Sequence, residues 1–184
     1  MKGRRKMGDG NPLWSHRCIY LLTWGRFEEI IQVLFDEIIQ SGFRPNAIVS
    51  IAKGGLVAGV KLAHLFDIPQ FGVIYIEHNK TSDLFPERDV PKMHWSEIPR
   101  IENSRVLIVD DIVGSGETME LASNVTRTYA PLSIKTASLV VNSNSNRYPD
   151  FFALEVDDWI VFPWESTTEL HMTADVEGLP IVEV

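Results

Sequence analysis

The sequence predicts an α/β protein, a parallel twisted sheet with helices on both faces. Three observations predict it. Strand-like and helix-like segments alternate along the chain; the strands are continuous apolar runs; and glycine-bearing turns stand between two of the strands and the helices that follow. Continuous rather than alternating apolar strands belong to sheets buried on both sides, and strand–helix alternation makes such sheets parallel. At 184 residues, 45% of them hydrophobic, the chain is long enough for one domain with a full core.

The elements follow in order. Residues 1–17 carry Lys2, Arg4, Arg5, Lys6 and Arg17 and read as a mobile basic tail, which leaves 18–184 as the domain. From Phe27 the apolar positions Phe27, Ile30, Ile31, Leu34, Phe35, Ile38 and Ile39 fall at helical spacing, with Thr23 as the N-cap and Gly42 and Pro45 closing the helix. Ala47 to Ala52 is a buried strand, Lys53-Gly54-Gly55 a tight turn, Leu56 to Phe66 a helix, and Phe71 to Glu77 a second strand. Residues 78–104 are polar, punctuated by proline and aperiodic, and read as one long excursion. Arg105 to Asp110 is the strongest strand; a helix over about Glu117 to Tyr129 and a strand over Ile134 to Val141 follow it. Asn142 to Asn146 is a polar turn, and short strands near 151–156 and 159–162 complete the set.

Composition removes several function classes. A formal net charge of −8 argues against nucleic acid as a partner. Cys18 is the only cysteine, so neither a disulfide framework nor a cysteine-rich zinc site can form. No apolar run approaches the length of a membrane span, and the expectation is a soluble protein of the reducing cytoplasm. His16, His64, His78, His94 and His171 show no metal-ligand spacing.

Ligands of parallel α/β sheets gather where strands end and helices begin. The turn after Asp110 is the more informative one. An apolar strand ends in two adjacent carboxylates, Asp110 and Asp111, which suit the vicinal hydroxyls of a sugar. Gly114 and Gly116 allow a close backbone approach, Ser115 and Thr118 add hydroxyls, and the helix beginning there aims its free amides at the same place. A sugar bearing a phosphate fits these groups. The dinucleotide-binding and P-loop patterns are both absent; Gly54 and Gly59 have P-loop spacing, but Val60 stands where the lysine belongs.

The string Val106-Leu-Ile-Val-Asp110-Asp111-Ile-Val-Gly114-Ser115-Gly116-Glu117-Thr118 resembles the binding motif for 5-phosphoribosyl-1-pyrophosphate (PRPP) of the type I phosphoribosyltransferases. The resemblance covers roughly residues 20–170. It implies that Asp110 and Asp111 take the ribose hydroxyls and that Val113, Gly114, Ser115, Gly116, Glu117 and Thr118 wrap the 5-phosphate. Lys53, Gly54 and Gly55 resemble the family's pyrophosphate loop, and in 6-oxopurine members the peptide before the basic residue can be cis, which points to Ala52–Lys53. The excursion at about 78–104 stands where the family has a lid.

The segment from Tyr148 to Glu165, with Asp157-Asp158-Trp159-Ile160 and Pro163-Trp164-Glu165, resembles the hood of the purine branch, closest to hypoxanthine-guanine and xanthine enzymes of archaeal type, so a hood is expected at about 148–170. On that resemblance Trp159 stacks on the base, Trp164 packs the hood, the main chain of Ile160 reads the purine C2 substituent, and Glu165 lies near magnesium. Two departures stand out. Asn142 occupies the place of a lysine that contacts purine O6, and an amide can accept as well as donate. Gly114 replaces an aspartate beside purine N7, which leaves base activation unassigned. The implied activity is transfer of the phosphoribosyl group from magnesium-bound PRPP to a 6-oxopurine in purine salvage, by a dimer or tetramer. An enzyme for adenine or a pyrimidine, or a PRPP-sensing regulator without turnover, stays open.

Overall fold

The computed structural model describes residues 17–78, 90–165 and 180–183. Nine strands and three helices follow in order: β1 (Ile19–Leu21), α1 (Trp24–Gln40), β2 (Ala47–Ala52), α2 (Gly55–Phe66), β3 (Phe71–His78), β4 (Pro91–Glu97), β5 (Arg105–Val113), α3 (Glu117–Arg127), β6 (Ser133–Asn142), β7 (Phe151–Val156), β8 (Trp159–Val161) and β9 (Ile181–Glu183). Six strands form one sheet in the order β4-β3-β2-β5-β6-β7, and three form a second in the order β8-β1-β9. All pairs of the larger sheet are parallel except β3 with β4.

The period-2 geometry of β5 sorts the core into two layers. Leu107 and Val109 face α1 and α2, meeting Phe27, Ile30, Leu34, Ile38, Ala58 and Leu62. Val106 and Ile108 face the other way, toward Met119 and Ala122 of α3. Helices therefore cover both faces, as the continuous apolar strands require. Thr23 caps α1, its Oγ1 accepting from the Arg26 amide at 3.1 Å, and Phe27, Ile30, Ile31, Leu34 and Ile38 are the buried stripe.

Three expectations are corrected. The excursion is not structureless where it is described. Pro91 to Glu97 forms β4, antiparallel to β3 in a register from Val73↔Glu97 to His78↔Pro91, with a bulge at Tyr75/Ile76. An edge strand exposed on both faces has no apolar period to betray it, and a proline at its first residue withholds no needed ladder bond. The remainder of the expected lid, 79–89, lies outside the described residues.

The hood is also assembled differently. β7 joins the large sheet beside β6, whereas β8 pairs in parallel with β1, and β1 with β9. The small sheet thus recruits the start of the chain, and Ile19 donates to the Pro180 carbonyl at 2.9 Å. Residues 166–179 lie outside the described residues. So does the basic tail up to residue 16, but Arg17, counted with that tail, makes ordered ion pairs with Asp157 and Asp158. Finally, β5 does not end at Asp110 but continues three residues further, to Val113, so both carboxylates of the pair are strand residues. Among the described residues no helix is long and apolar enough to cross a membrane.

Candidate functional site

A cleft of about 520 Å³ opens at the C-terminal ends of β2 and β5. Its wall joins Lys53 and Gly54, the run from Asp110 to Gly116, Thr118, and Trp159 from the small sheet. Both informative turns therefore meet in one place, with an aromatic ring on the same wall.

The two turns touch through glycine. A Cβ on Gly54 would stand 1.6 Å from Asp111 Oδ2, and one on Gly55 would stand 2.7 Å from the Val109 carbonyl and 2.8 Å from Asp110 Cα. Only hydrogen at those positions lets the start of α2 lie against the acidic pair. The Ala52–Lys53 peptide that leads into this turn is cis. At the opposite side Gly116 has φ +84°, and a Cβ there would meet Arg147 Cβ at 2.6 Å. The phosphate-type loop is thereby held under the β6–β7 connection, and α3 begins at Glu117, whose amide donates to Ser115 Oγ at 3.4 Å.

Asp110 is 8% exposed and Asp111 half-buried. The Asp111 amide donates to Asp110 Oδ1 at 3.0 Å, and the Ile112 amide donates to Asp111 Oδ1 at 2.8 Å. Burial pushes the Asp110 carboxyl well above the usual carboxylate range, and the neighbouring Asp111 pushes it further. Burial raises Asp111 as well, against the hydrogen bonds that favour its ionised form. Two adjacent acids raised in this way are both stabilised in their ionised forms by positive charge placed beside them. Among the described residues no cluster of three or more histidine, cysteine or acidic side chains could hold a metal.

Not every expected residue reaches the cleft. Val113, Gly114, Ser115, Gly116 and Thr118 border it; Glu117 and Gly55 do not, Gly55 lying behind the wall against β5. Asn142 is fully buried at the end of β6, with Oδ1 accepting from the Asn144 amide at 2.7 Å and Nδ2 lacking an acceptor. Glu165 turns Oε2 to the Phe162 amide at 2.8 Å and closes the turn that carries Trp164. Trp164 stacks on Phe162 at 4.8 Å and meets Phe27 edge-on at 5.6 Å, a packing position.

The Ile160 side chain is 6% exposed and belongs to the main core. Leu22 donates to the Val161 carbonyl, so in the alternation of a parallel pair Val161 faces β1 and the Ile160 amide and carbonyl face the outer edge of β8. Sequence reasoning passed over Ile51, Ile76, Ile112 and Met119, which also line the cleft. Apolar residues near strand ends carry no signal that separates a cleft wall from core. His94 pairs with Glu77 at 3.2 Å on β4 and does not border the cleft.

Comparison with known proteins agrees with this geometry. The model of the phosphoribosyl transferase domain matches residues 20–169. Among curated relatives, the chain is 31% identical over 122 residues to a xanthine-guanine phosphoribosyltransferase of Cereibacter sphaeroides, covering 65% of this chain and 69% of that one. It is 26% identical to the enzyme of that name from Nitratidesulfovibrio vulgaris, covering 84% and 89%. With hypoxanthine-guanine phosphoribosyltransferase of Mus musculus it shares 32% identity over 76 residues, 35% of that chain. Among solved structures, a purine phosphoribosyltransferase from Pyrococcus horikoshii superposes with a TM-score of 0.69 at 29% identity, covering 80% of this chain and 94% of that one. With its sheet, its two turns and its acidic pair arranged as described, the chain belongs to the phosphoribosyl transferase domain family.

Proposed function

We propose that this protein is a purine phosphoribosyltransferase that joins the phosphoribosyl group of PRPP to a 6-oxopurine and releases pyrophosphate. The observation that carries it is the cleft itself: an acidic pair at a strand end, a glycine loop at a helix start, a lysine turn and a tryptophan share one wall. The names borne by the curated relatives support the purine.

The bond from ribose C1 to the pyrophosphate oxygen breaks as the base nitrogen bonds to C1, and positive charge develops on the ring. Asp110 and Asp111 hold the ribose hydroxyls and favour that charge from a buried position, where carboxylates act more strongly than in water. The amides from Val113 to Thr118 hold the 5-phosphate, which fixes C1 relative to the base and contributes through positioning. Lys53 and Gly54 face the pyrophosphate. Trp159 stacks on the base, and the outward Ile160 main chain is free to read its edge.

Magnesium fits the donor set. Adjacent carboxylates and a diphosphate are the hard oxygens it takes, and positive charge relieves the burial that raises both aspartates. Asp110 and Asp111 would hold it there, and it would supply charge neutralisation at the leaving diphosphate. Glu165 is assigned to the same magnesium, with one of its oxygens, Oε2, accepting from the Phe162 amide. Asn142 enters only through Nδ2, a donor without an acceptor one strand end away. Self-association as a dimer or tetramer belongs to the same proposal.

The test is pyrophosphate release from magnesium-PRPP with hypoxanthine, guanine, xanthine, adenine, uracil and orotate supplied separately. Turnover with a 6-oxopurine is the expected result. Turnover with adenine or a pyrimidine alone would overturn the base assignment, and PRPP binding without turnover on any base would make the protein a sensor.

A further inference from the structure

Trp159 sits in a short element. Among the described residues β8 has three residues at the edge of the small sheet; its middle side chain, Ile160, enters the main core, while Trp159 itself packs with Ile19, Leu21 and Val161. Strand pairs this short do not hold a side chain still by themselves. The two residues immediately before Trp159 are both acidic, and the first of them is half-buried while the second, Asp158, is 1% exposed. A buried carboxylate without partners is costly, so its partners show what fixes it.

Those partners come from one short stretch at the other end of the chain. Asp158 Oδ1 accepts from the Arg17 amide at 2.7 Å, and Oδ2 accepts from Arg17 Nε at 3.1 Å and from Cys18 Sγ at 3.7 Å. Arg17 Nη2 reaches on to Asp157 Oδ1 at 2.6 Å. One guanidinium thus bridges two consecutive carboxylates, and the strand register then sets Ile19 opposite Trp159. The Arg17 side chain is itself 64% exposed. Its own burial adds little, and what it does is hold a buried partner. A planar fork donates to both carboxylates in fixed directions, which the compact ammonium group of a lysine reproduces only in part.

We propose that Arg17 is a positioning residue for the base subsite, clamping Asp157 and Asp158 so that the Trp159 ring is held against the cleft. The proposal rests on Trp159 being the base-stacking ring. It assigns to the first described residue a part in base affinity and none in binding the phosphoribosyl group, whose groups lie on β5, its loop and the Lys53 turn.

Calorimetric titration separates the two. Ribose 5-phosphate probes the phosphoribosyl half alone, and the 5′-nucleotides IMP, GMP, XMP and AMP carry the base as well. The ratio of their affinities is the increment due to the base. In Arg17→Ala, which keeps the main-chain bond to Asp158 and so the fold, the base increment of the tightest nucleotide should fall about three- to tenfold, a fraction of what a stacked ring contributes. Ribose 5-phosphate should bind as to wild type, which also certifies folding. Arg17→Lys should recover part of the loss. An Arg17→Ala protein with the wild-type ratio overturns the clamp alone, as does one that loses both ligands equally. Wild-type protein that binds no nucleotide more tightly than ribose 5-phosphate overturns the stacking role of Trp159 and the clamp with it.

Discussion

Replacing Gly55 with alanine tests whether the contact between α2 and the acidic strand sets both stability and turnover. The new methyl would lie 2.7 Å from the Val109 carbonyl and 2.8 Å from Asp110 Cα, where ordinary contact begins at 3.4 Å. Both offended atoms belong to the backbone of β5, which is hydrogen-bonded to β2 on one side and β6 on the other, so the strand does not yield by itself. The start of α2 must recede by some tenths of an ångström, and the Lys53-Gly54 turn with it. Overpacking of this kind costs about 1–3 kcal/mol, offset by up to about 1 kcal/mol of helix preference for alanine over glycine. A net loss near 1–2 kcal/mol lowers Tm by roughly 2–8 °C for a domain of this size. Misplacement of the pyrophosphate turn adds a loss of about 10- to 100-fold in kcat/KM for PRPP. Circular-dichroism melts and pyrophosphate release measure the two. Gly42→Ala is the control: Gly42 has φ +81° with nothing within 4 Å of its Cβ direction, so it should cost about 1 kcal/mol of backbone strain and no activity. A Gly55→Ala enzyme with wild-type Tm and kcat/KM would refute the close approach.

Asp110→Asn should abolish most turnover while raising the Tm of the ligand-free protein at pH 7. The sign follows from linkage. Burial raises the folded pKa of Asp110 above its unfolded value, so the folded state binds the extra proton and stability falls as pH climbs from about 4 toward the raised value. Removing the ionisation removes that fall, and melts from pH 4 to 8 should show a flatter profile in the variant. Asp111→Asn should likewise fold and lose most turnover, and near-wild-type activity would remove it from the mechanism. Trp159→Ala should raise KM for the base about 5- to 100-fold, the range of one stacked ring, and leave KM for PRPP within about twofold. Leu34→Ala, at a position with no exposure in the middle of α1, should cost about 2–5 kcal/mol by urea denaturation and leave the KM values unchanged.

What was legible in the sequence follows how local each determinant is. α1 announced itself because five residues of its stripe repeat at helical spacing within the helix and its Thr23 cap lies one residue outside. β5 did so because burial on both faces writes an unbroken apolar run, and the acidic pair was legible because both carboxylates are adjacent in sequence. β4 carried no such mark, being exposed on both faces. β1 and β9 are three residues each and exist only through pairing with partners far along the chain. Asn142 and Glu165 were assigned by family resemblance and not by a local pattern, and each accepts one amide hydrogen bond in a neighbouring turn, at Oδ1 and Oε2.

The same distinction explains why the two halves of the site differed in legibility. The half proposed to take the phosphoribosyl group is built from two strand-to-helix turns, each a run of a few residues, so the sequence order is nearly the spatial order. The half proposed to take the base is built by convergence. Trp159 reaches the cleft from a three-residue strand whose neighbour begins the described chain, and the charge that steadies it, on Arg17, is 141 residues from Asp158. No window of sequence contains both. A specificity element assembled in this way can change by substitutions at either end of the chain without touching the acidic pair. The base preference of this protein is therefore better sought in the packing around β1 and β8 than in the PRPP motif, and exchanging Asp157 and Asp158 together with Arg17 should shift base preference at constant PRPP affinity.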